Sequence, residues 1–258
     1  MKIIFDPEEP LKFSTSATIG IFDGVHIGHK KILSLVQKKA RQKGICSCVI
    51  TFNPHPQKVL RKTDIALIIP LRERFRLLKE EGVDITVCYT FTEEFASISA
   101  KDFIRHILIR KLNVKNLFVG PDFFFGKSRE GNVELLHTMG RMYKFETEVV
   151  EPAYLNGEVV SSTIIRRFIE DGMVRRAARF LGKSFSIEGT VKEGEKRGRG
   201  DRGGRGHLKS GVKRRGGASW ETGGKEFNSK DNVSLVACHC LAVEFPVSCF
   251  PMRVSISK

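Results

Sequence analysis

Gly20-Ile21-Phe22-Asp23-Gly24-Val25-His26-Ile27-Gly28-His29 is the stretch on which the reading of this chain turns. It lies where a short apolar segment, Ser16 to Phe22, gives way to Gly28 to Lys43. There Ile32, Leu35, Val36 and Ala40 share one helical face and Gly44 marks the stop. Gly20 and Gly24 allow a tight strand-to-helix turn and a close backbone approach to a ligand, and Gly28 lets the helix start pack closely. A helix N-terminus presents unpaired N–H groups and positive potential, so phosphate is the expected guest. His26 and His29 are three apart, on one face of the first turn, and their N–H groups can donate to phosphate oxygens as charge builds. His-x-x-His also fits a metal pair, but apart from Asp23 no further ligand lies nearby.

Outward from this turn, strand-like and helix-like stretches alternate as far as residue 182. Cys46 to Phe52 is β-branched and apolar, and Leu71, Phe75 and Leu78 stripe a helix that ends at Gly82. Ile85 to Tyr89 predicts a strand, and Ser99-Ala-Lys-Asp102 has capping-box spacing ahead of a helical face of Phe103, Ile107 and Leu108. Leu117 to Gly120 ends a fourth strand, Asn132 to Lys144 reads as helix, Glu146 to Val150 as a fifth strand, and Ser162 to Asp171 and Met173 to Leu181 as two closing helices. Such alternation predicts an α/β fold: a Rossmann-like, doubly wound parallel sheet with ligands beyond the carboxyl ends of its strands.

Three further motifs each follow a predicted strand. In Asn53-Pro54-His55-Pro56 the prolines fix the backbone on both sides and hold His55 outward at a strand end. An ordinary rigid turn would look the same. Gly120-Pro-Asp122-Phe123-Phe124-Phe125-Gly126 carries more aromatic surface than a turn needs, enough to flank a flavin or adenine ring, although part of it belongs to a core. Asp122 suits a ribose hydroxyl or hydrated Mg²⁺. Ser161-Ser162-Thr163 opens a helix with more hydroxyls than one cap uses, and Arg166 follows one turn later, giving a second anion-binding helix start.

Together these motifs resemble the prokaryotic FAD synthetase family, the bifunctional riboflavin kinase/FMN adenylyltransferases. The ten-residue stretch is similar to the family's nucleotidyltransferase signature, and the Pro-His-Pro, Gly-Pro-Asp-Phe-Phe-Phe-Gly and Ser-Ser-Thr-Ile-Ile-Arg segments follow in the family's order. The resemblance implies an FMN adenylyltransferase domain at 1–182 that makes FAD from FMN and ATP, with Mg²⁺. His26, His29 and Arg166 would be catalytic. Gly20, Phe22, Asp23, Gly24, Gly28, Asp122, Ser161, Ser162 and Thr163 would hold ATP. Asn53, Pro54, His55, Pro56, Phe123 and Phe125 would face the flavin. Related nucleotidyltransferases share His-x-Gly-His with other acceptors, which is the alternative enzyme. Asn53 stands where the family is expected to carry an acid, so no metal role is assigned to it.

The resemblance stops abruptly. Gly189-Thr-Val191 matches the opening of the family's kinase barrel, so 183–200 reads as its remnant, but Pro-Thr-Ala-Asn occurs nowhere in the chain. Between Gly194 and Gly224 there are 11 glycines in 31 residues, a density that resists ordering, so 201–258 is expected to be a disordered basic tail without kinase activity. A shift of reading frame in the gene would produce such a break. The net charge of +15 is concentrated here: Lys196 to Lys225 carry 10 basic residues against Asp201 and Glu221. RNA binding through Arg202-Gly-Gly-Arg-Gly206 is the competing class, but the repeat occurs once and holds no aromatic residue. Cys238-His-Cys240 is too crowded for one zinc ion, and the six cysteines form no disulfide framework. No apolar run approaches the ~20 residues of a membrane span, and the N-terminus lacks a secretory layout, so a cytoplasmic protein is expected.

Overall fold

A computed structural model of the chain describes residues 1–186. Its centre is a six-stranded, all-parallel sheet built from β1 (Lys2–Phe5), β2 (Thr15–Ile19), β3 (Cys46–Asn53), β4 (Ile85–Thr90), β5 (Val114–Val119) and β6 (Glu146–Val149). The strands lie in the order β1-β4-β3-β2-β5-β6. From β2 the chain winds through β3 and β4 in one direction and through β5 and β6 in the other. The carboxyl ends of β2 and β5 therefore flank the point where strand order reverses, the usual ligand crevice of such sheets.

Alternation along β3 places Cys48, Ile50 and Phe52 on one face and Val49 on the other. The first face packs against Phe103, Ile104 and Leu108. The second packs against Leu33 of α1 (Ile27–Lys43), Leu77 and Leu78 of α3 (Leu71–Glu80), and Ile165, Phe168 and Phe180 of α7 (Ser162–Glu170) and α8 (Val174–Leu181). Covered on both sides, the centre of the sheet is buried, and β2 is wholly buried although Thr15, Ser16 and Thr18 are polar.

Most predicted elements are present within a residue or two. The first predicted strand ends earlier, at Ile19, so Gly20 to Phe22 belongs to the loop. The helix after Ser99 begins as α5 (Ala100–Asp102) and continues as a π-helix over Phe103–Lys111, which buries Ile104 beside the predicted Phe103, Ile107 and Leu108. Ser99 Oγ accepts the Asp102 N–H at 3.1 Å and donates to the Asp102 carboxylate at 2.7 Å, so the acid satisfies the hydroxyl rather than the Ser99 backbone. Strand β1 was not anticipated; its four residues are too few for a periodic signal, and its pairing with β4 supplies the order. Also unanticipated were α2 (Pro56–Leu60), α4 (Glu93–Ala96) and the hairpin β7 (Tyr154–Leu155) and β8 (Glu158–Val159). The hairpin turns on Asn156-Gly157, both at positive φ, and that dipeptide is a sequence signal that could have found it. Helix α6 (Val133–Tyr143), predicted over Asn132 to Lys144, is capped by the Asn132 side chain. The expectations for the kinase remnant from residue 187 onward, the Gly/Arg-rich tail, its RNA-binding alternative and Cys238-His-Cys240 lie outside the described residues. Among the described residues, no helix is long and apolar enough to cross a membrane.

Candidate active site

The loop after β2 is built around Asp23, whose side chain is wholly buried. Its carboxylate accepts the Ile68 N–H on both oxygens, at 3.0 and 3.1 Å, and the Ile69 N–H at 3.1 Å. It also pairs with Arg166 Nη2 at 2.7 Å. Asp23 thus organises three segments and leaves no oxygen free for a ligand. Its backbone carbonyl accepts from Ser162 Oγ at 2.9 Å, so the start of α7 is fastened to this loop at two points. Gly24 sits beside it at φ +88, where a Cβ would stand 2.9 Å from Leu181 Cδ2, so the turn tolerates only glycine without strain.

His26 is the N-cap of α1, not a member of its first turn as the spacing implied. Its Nδ1 accepts the His29 N–H at 3.3 Å, which assigns the proton to Nε2 and leaves that nitrogen as a donor. The two imidazoles stack with centroids 3.6 Å apart, and the Phe22 ring leans on His29 at 4.7 Å. Phe22 is buried in the core and supports His29 from behind. Gly28 permits the stack: a Cβ there would meet the His26 ring and the Val160 carbonyl at 3.2 Å. Burial pushes the His26 pKa down to about 4, with Asp23 opposing and Arg166 adding to the effect. Burial, then His26, then Arg74 hold His29 well below the ordinary imidazole value. Both are therefore neutral donors at pH 7 rather than cations.

His55 departs from the expectation of an outward side chain. It turns inward, 9% exposed, because its Nδ1 caps α2 by accepting the Gln57 N–H at 3.2 Å. Its pKa is lowered by burial and by Arg166, which places it within electrostatic reach of the Asp23–Arg166 pair. Asn53 and Pro54 are exposed at the end of β3, and Pro56 opens α2. Of the three hydroxyls, Ser161 caps α7 by accepting the Ile164 N–H at 3.3 Å, Ser162 holds Asp23, and Thr163 is exposed.

The loop after β5 presents Asp122 to solvent. Phe125 is a core residue, packed on Phe103 at 5.6 Å, while Phe123 is half-buried and stacked on it at 5.4 Å. Phe124 is the exposed ring of the three, with the Arg129 guanidinium 4.8 Å over its face. One charged group escaped the sequence reading: Arg74, fully buried under β3. Its position is on the same helical stripe as Leu71, Phe75 and Leu78, and that spacing is the signal that could have found it.

The family model described as FAD synthetase matches residues 9–164. The chain is 39% identical over 183 residues to a bifunctional riboflavin kinase/FMN adenylyltransferase of Buchnera aphidicola subsp. Acyrthosiphon pisum, covering 70% of this chain and 58% of the relative. It is 38% identical over 183 residues to the Escherichia coli K12 protein of the same name, with the same coverage of 70% and 58%. The chain thus spans less than two thirds of the length of these curated relatives. A solved structure titled as a macrolide-efflux protein from Streptococcus pneumoniae superposes with a TM-score of 0.66 at 30% identity, covering 76% of this chain and 66% of that one. With that family model matched across most of the sheet and every loop described above, the chain belongs to the FAD synthetase family.

Proposed function

We propose that this chain is an FMN adenylyltransferase. An FMN phosphate oxygen attacks the α-phosphorus of ATP, the bond from that phosphorus to the bridging oxygen of the β-phosphate breaks, and FAD and pyrophosphate leave. The observation that carries this is the neutral, stacked His26–His29 pair at the strand-order switch point, beside an arginine anchored by a buried carboxylate. Such transfers are driven chiefly by positioning and charge stabilisation. Both imidazoles donate N–H groups to the transferring phosphate, where a neutral donor gains most as charge develops. Arg166, turned by Asp23, and the exposed Thr163 hydroxyl meet the leaving pyrophosphate. Phe123 and Phe124 face the flavin, with Phe125 supporting them from the core. Gly20 and Gly24 shape the loop around the nucleotide, and Asp122 takes a ribose hydroxyl. Among the described residues no three His, Cys, Asp or Glu side chains gather as a metal cage. Magnesium arrives on the ATP phosphates as part of the substrate. These substrates place the activity in the cytoplasm.

Incubation with FMN, ATP and Mg²⁺ should yield FAD by chromatography. Adenylyl transfer to another phosphate acceptor but not to FMN would favour the alternative acceptor. Riboflavin with ATP should yield no FMN, because the Pro-Thr-Ala-Asn segment is absent from the sequence.

A further inference from the structure

Arg74 is 1% exposed, and its hydrogen bonds run to a hydroxyl and a backbone carbonyl rather than to a carboxylate. Buried charges are ordinarily paired, so an arginine left this way needs another source of compensation. Its hydrogen bonds run to the active-site frame. Nη1 donates to Thr51 Oγ1 at 3.2 Å and to the Phe52 carbonyl at 3.1 Å, while Nε is buried without a partner. Thr51 Oγ1 donates in turn to the Ile21 carbonyl at 3.2 Å. Ile21 belongs to the loop that carries Asp23, His26 and His29, and Phe52 immediately precedes the Asn53–Pro56 segment that carries His55. One guanidinium on α3 therefore grips the carboxyl end of β3, and Thr51, which it holds, reaches on to the loop after β2.

The surrounding charges do not balance. Arg74 faces Asp23 and the Cys88 thiol. Burial pushes that thiol up to about 11, so it is uncharged at pH 7. Asp23 is already engaged by Arg166 and two backbone N–H groups. His26 faces Asp23 and Arg166; His29 faces His26 and Arg74; His55 faces Arg166, Asp23, Arg74 and Lys58. One carboxylate stands among two buried or half-buried guanidiniums and three neutral imidazoles, which leaves a surplus positive charge in a poorly solvated setting.

We propose that Arg74 is a positioning residue of the adenylyl-transfer site. From beneath the carboxyl end of β3 it braces Thr51, which ties the loop after β2, and it supplies the surplus buried positive charge that an anionic polyphosphate neutralises. Being buried, it acts through His29, His55 and the loops and does not touch substrate. The proposal rests on the adenylyltransferase reading for its catalytic consequence only; its electrostatic consequence is independent of the reaction.

The test compares Arg74→Met, Arg74→Lys and Thr51→Val with the unchanged protein. Histidine ring titrations are followed by NMR, magnesium pyrophosphate binding by calorimetry, and FAD formation by kcat and KM. In Arg74→Met the His29 and His55 titrations should move upward, because a nearby positive charge is removed. Pyrophosphate affinity and kcat/KM should both fall by about tenfold or more. Arg74→Lys should restore the affinity and the titrations, because the charge remains. Thr51→Val should lower kcat with little change in KM for ATP or in the titrations, because it cuts the hydroxyl's links to Arg74 and Ile21 and leaves the charge in place. A folded Arg74→Met with unchanged titrations and unchanged pyrophosphate affinity would overturn the proposal. If Arg74→Met does not fold, unaltered kcat in Thr51→Val would overturn it. Failure of the unchanged protein to make FAD would sink the adenylyltransferase reading, while titrations and pyrophosphate binding would still decide the role of Arg74.

Discussion

Replacing Asp23 by Asn tests the centre of the site more directly than altering a histidine would. The carboxylate is wholly buried and receives two backbone N–H groups and the Arg166 guanidinium, whose side chain is 17% exposed. Asn keeps one acceptor oxygen but turns an amide donor toward groups that are all donors, and it leaves Arg166 without its counter-charge. Removing one partner of a buried pair costs about 3–5 kcal/mol. For a domain of this size each kcal/mol shifts the midpoint by roughly 2–4 °C, so Asp23→Asn should melt about 6–20 °C lower. Urea denaturation followed by far-ultraviolet circular dichroism measures the loss. A double-mutant cycle with Arg166→Met isolates the pair: the second change should recover part of the loss, because no unpaired charge then remains. A loss below about 1 kcal/mol, with no coupling to Arg166, would place the contact among weak surface ion pairs and refute the anchoring role.

Stability should fall with acid in a defined window. The folded His26 pKa of about 4 lies below the ordinary 6.5, so the unfolded chain binds the extra proton first. The stability contribution is full above pH 6.5 and is lost progressively as pH falls toward 4, by about 3 kcal/mol in total. His29 has a shift of the same direction and adds to this, and a denaturation midpoint flat across that range would contradict it. Gly24→Ala should destabilise by about 1–3 kcal/mol, since φ is +88 and the new Cβ meets Leu181 at 2.9 Å; a wild-type melting curve would count against that geometry. His29→Ala should lower kcat by about 10²–10³ while ATP affinity falls far less; equal losses in both would indicate uniform ground-state binding.

Much of this protein was legible in one dimension because its signals are local. The turn from β2 into α1, the stops at Gly44 and Gly182 and the caps at Asn132 and Ser161 each depend on a few neighbouring residues, and the structure places them as their chemistry predicts. The doubly wound sheet followed from the alternation of these segments. Tertiary structure alone decided which polar groups would be consumed internally. Asp23 pairs with Arg166 across 143 residues and with the backbone 45 and 46 residues away, so a candidate ligand for ATP is an anchor instead. His55 turned inward because its own ring caps α2, and Phe125, a candidate flavin contact, went to the core against Phe103. Arg74 shares the i, i+3, i+4, i+7 face of Leu71, Phe75 and Leu78, so periodicity carried the sign of its burial, but only the fold decided that Thr51 and Phe52 would receive it. Burial of a polar side chain is settled by partners distant in sequence, and periodicity within a helix or strand carries no information about them.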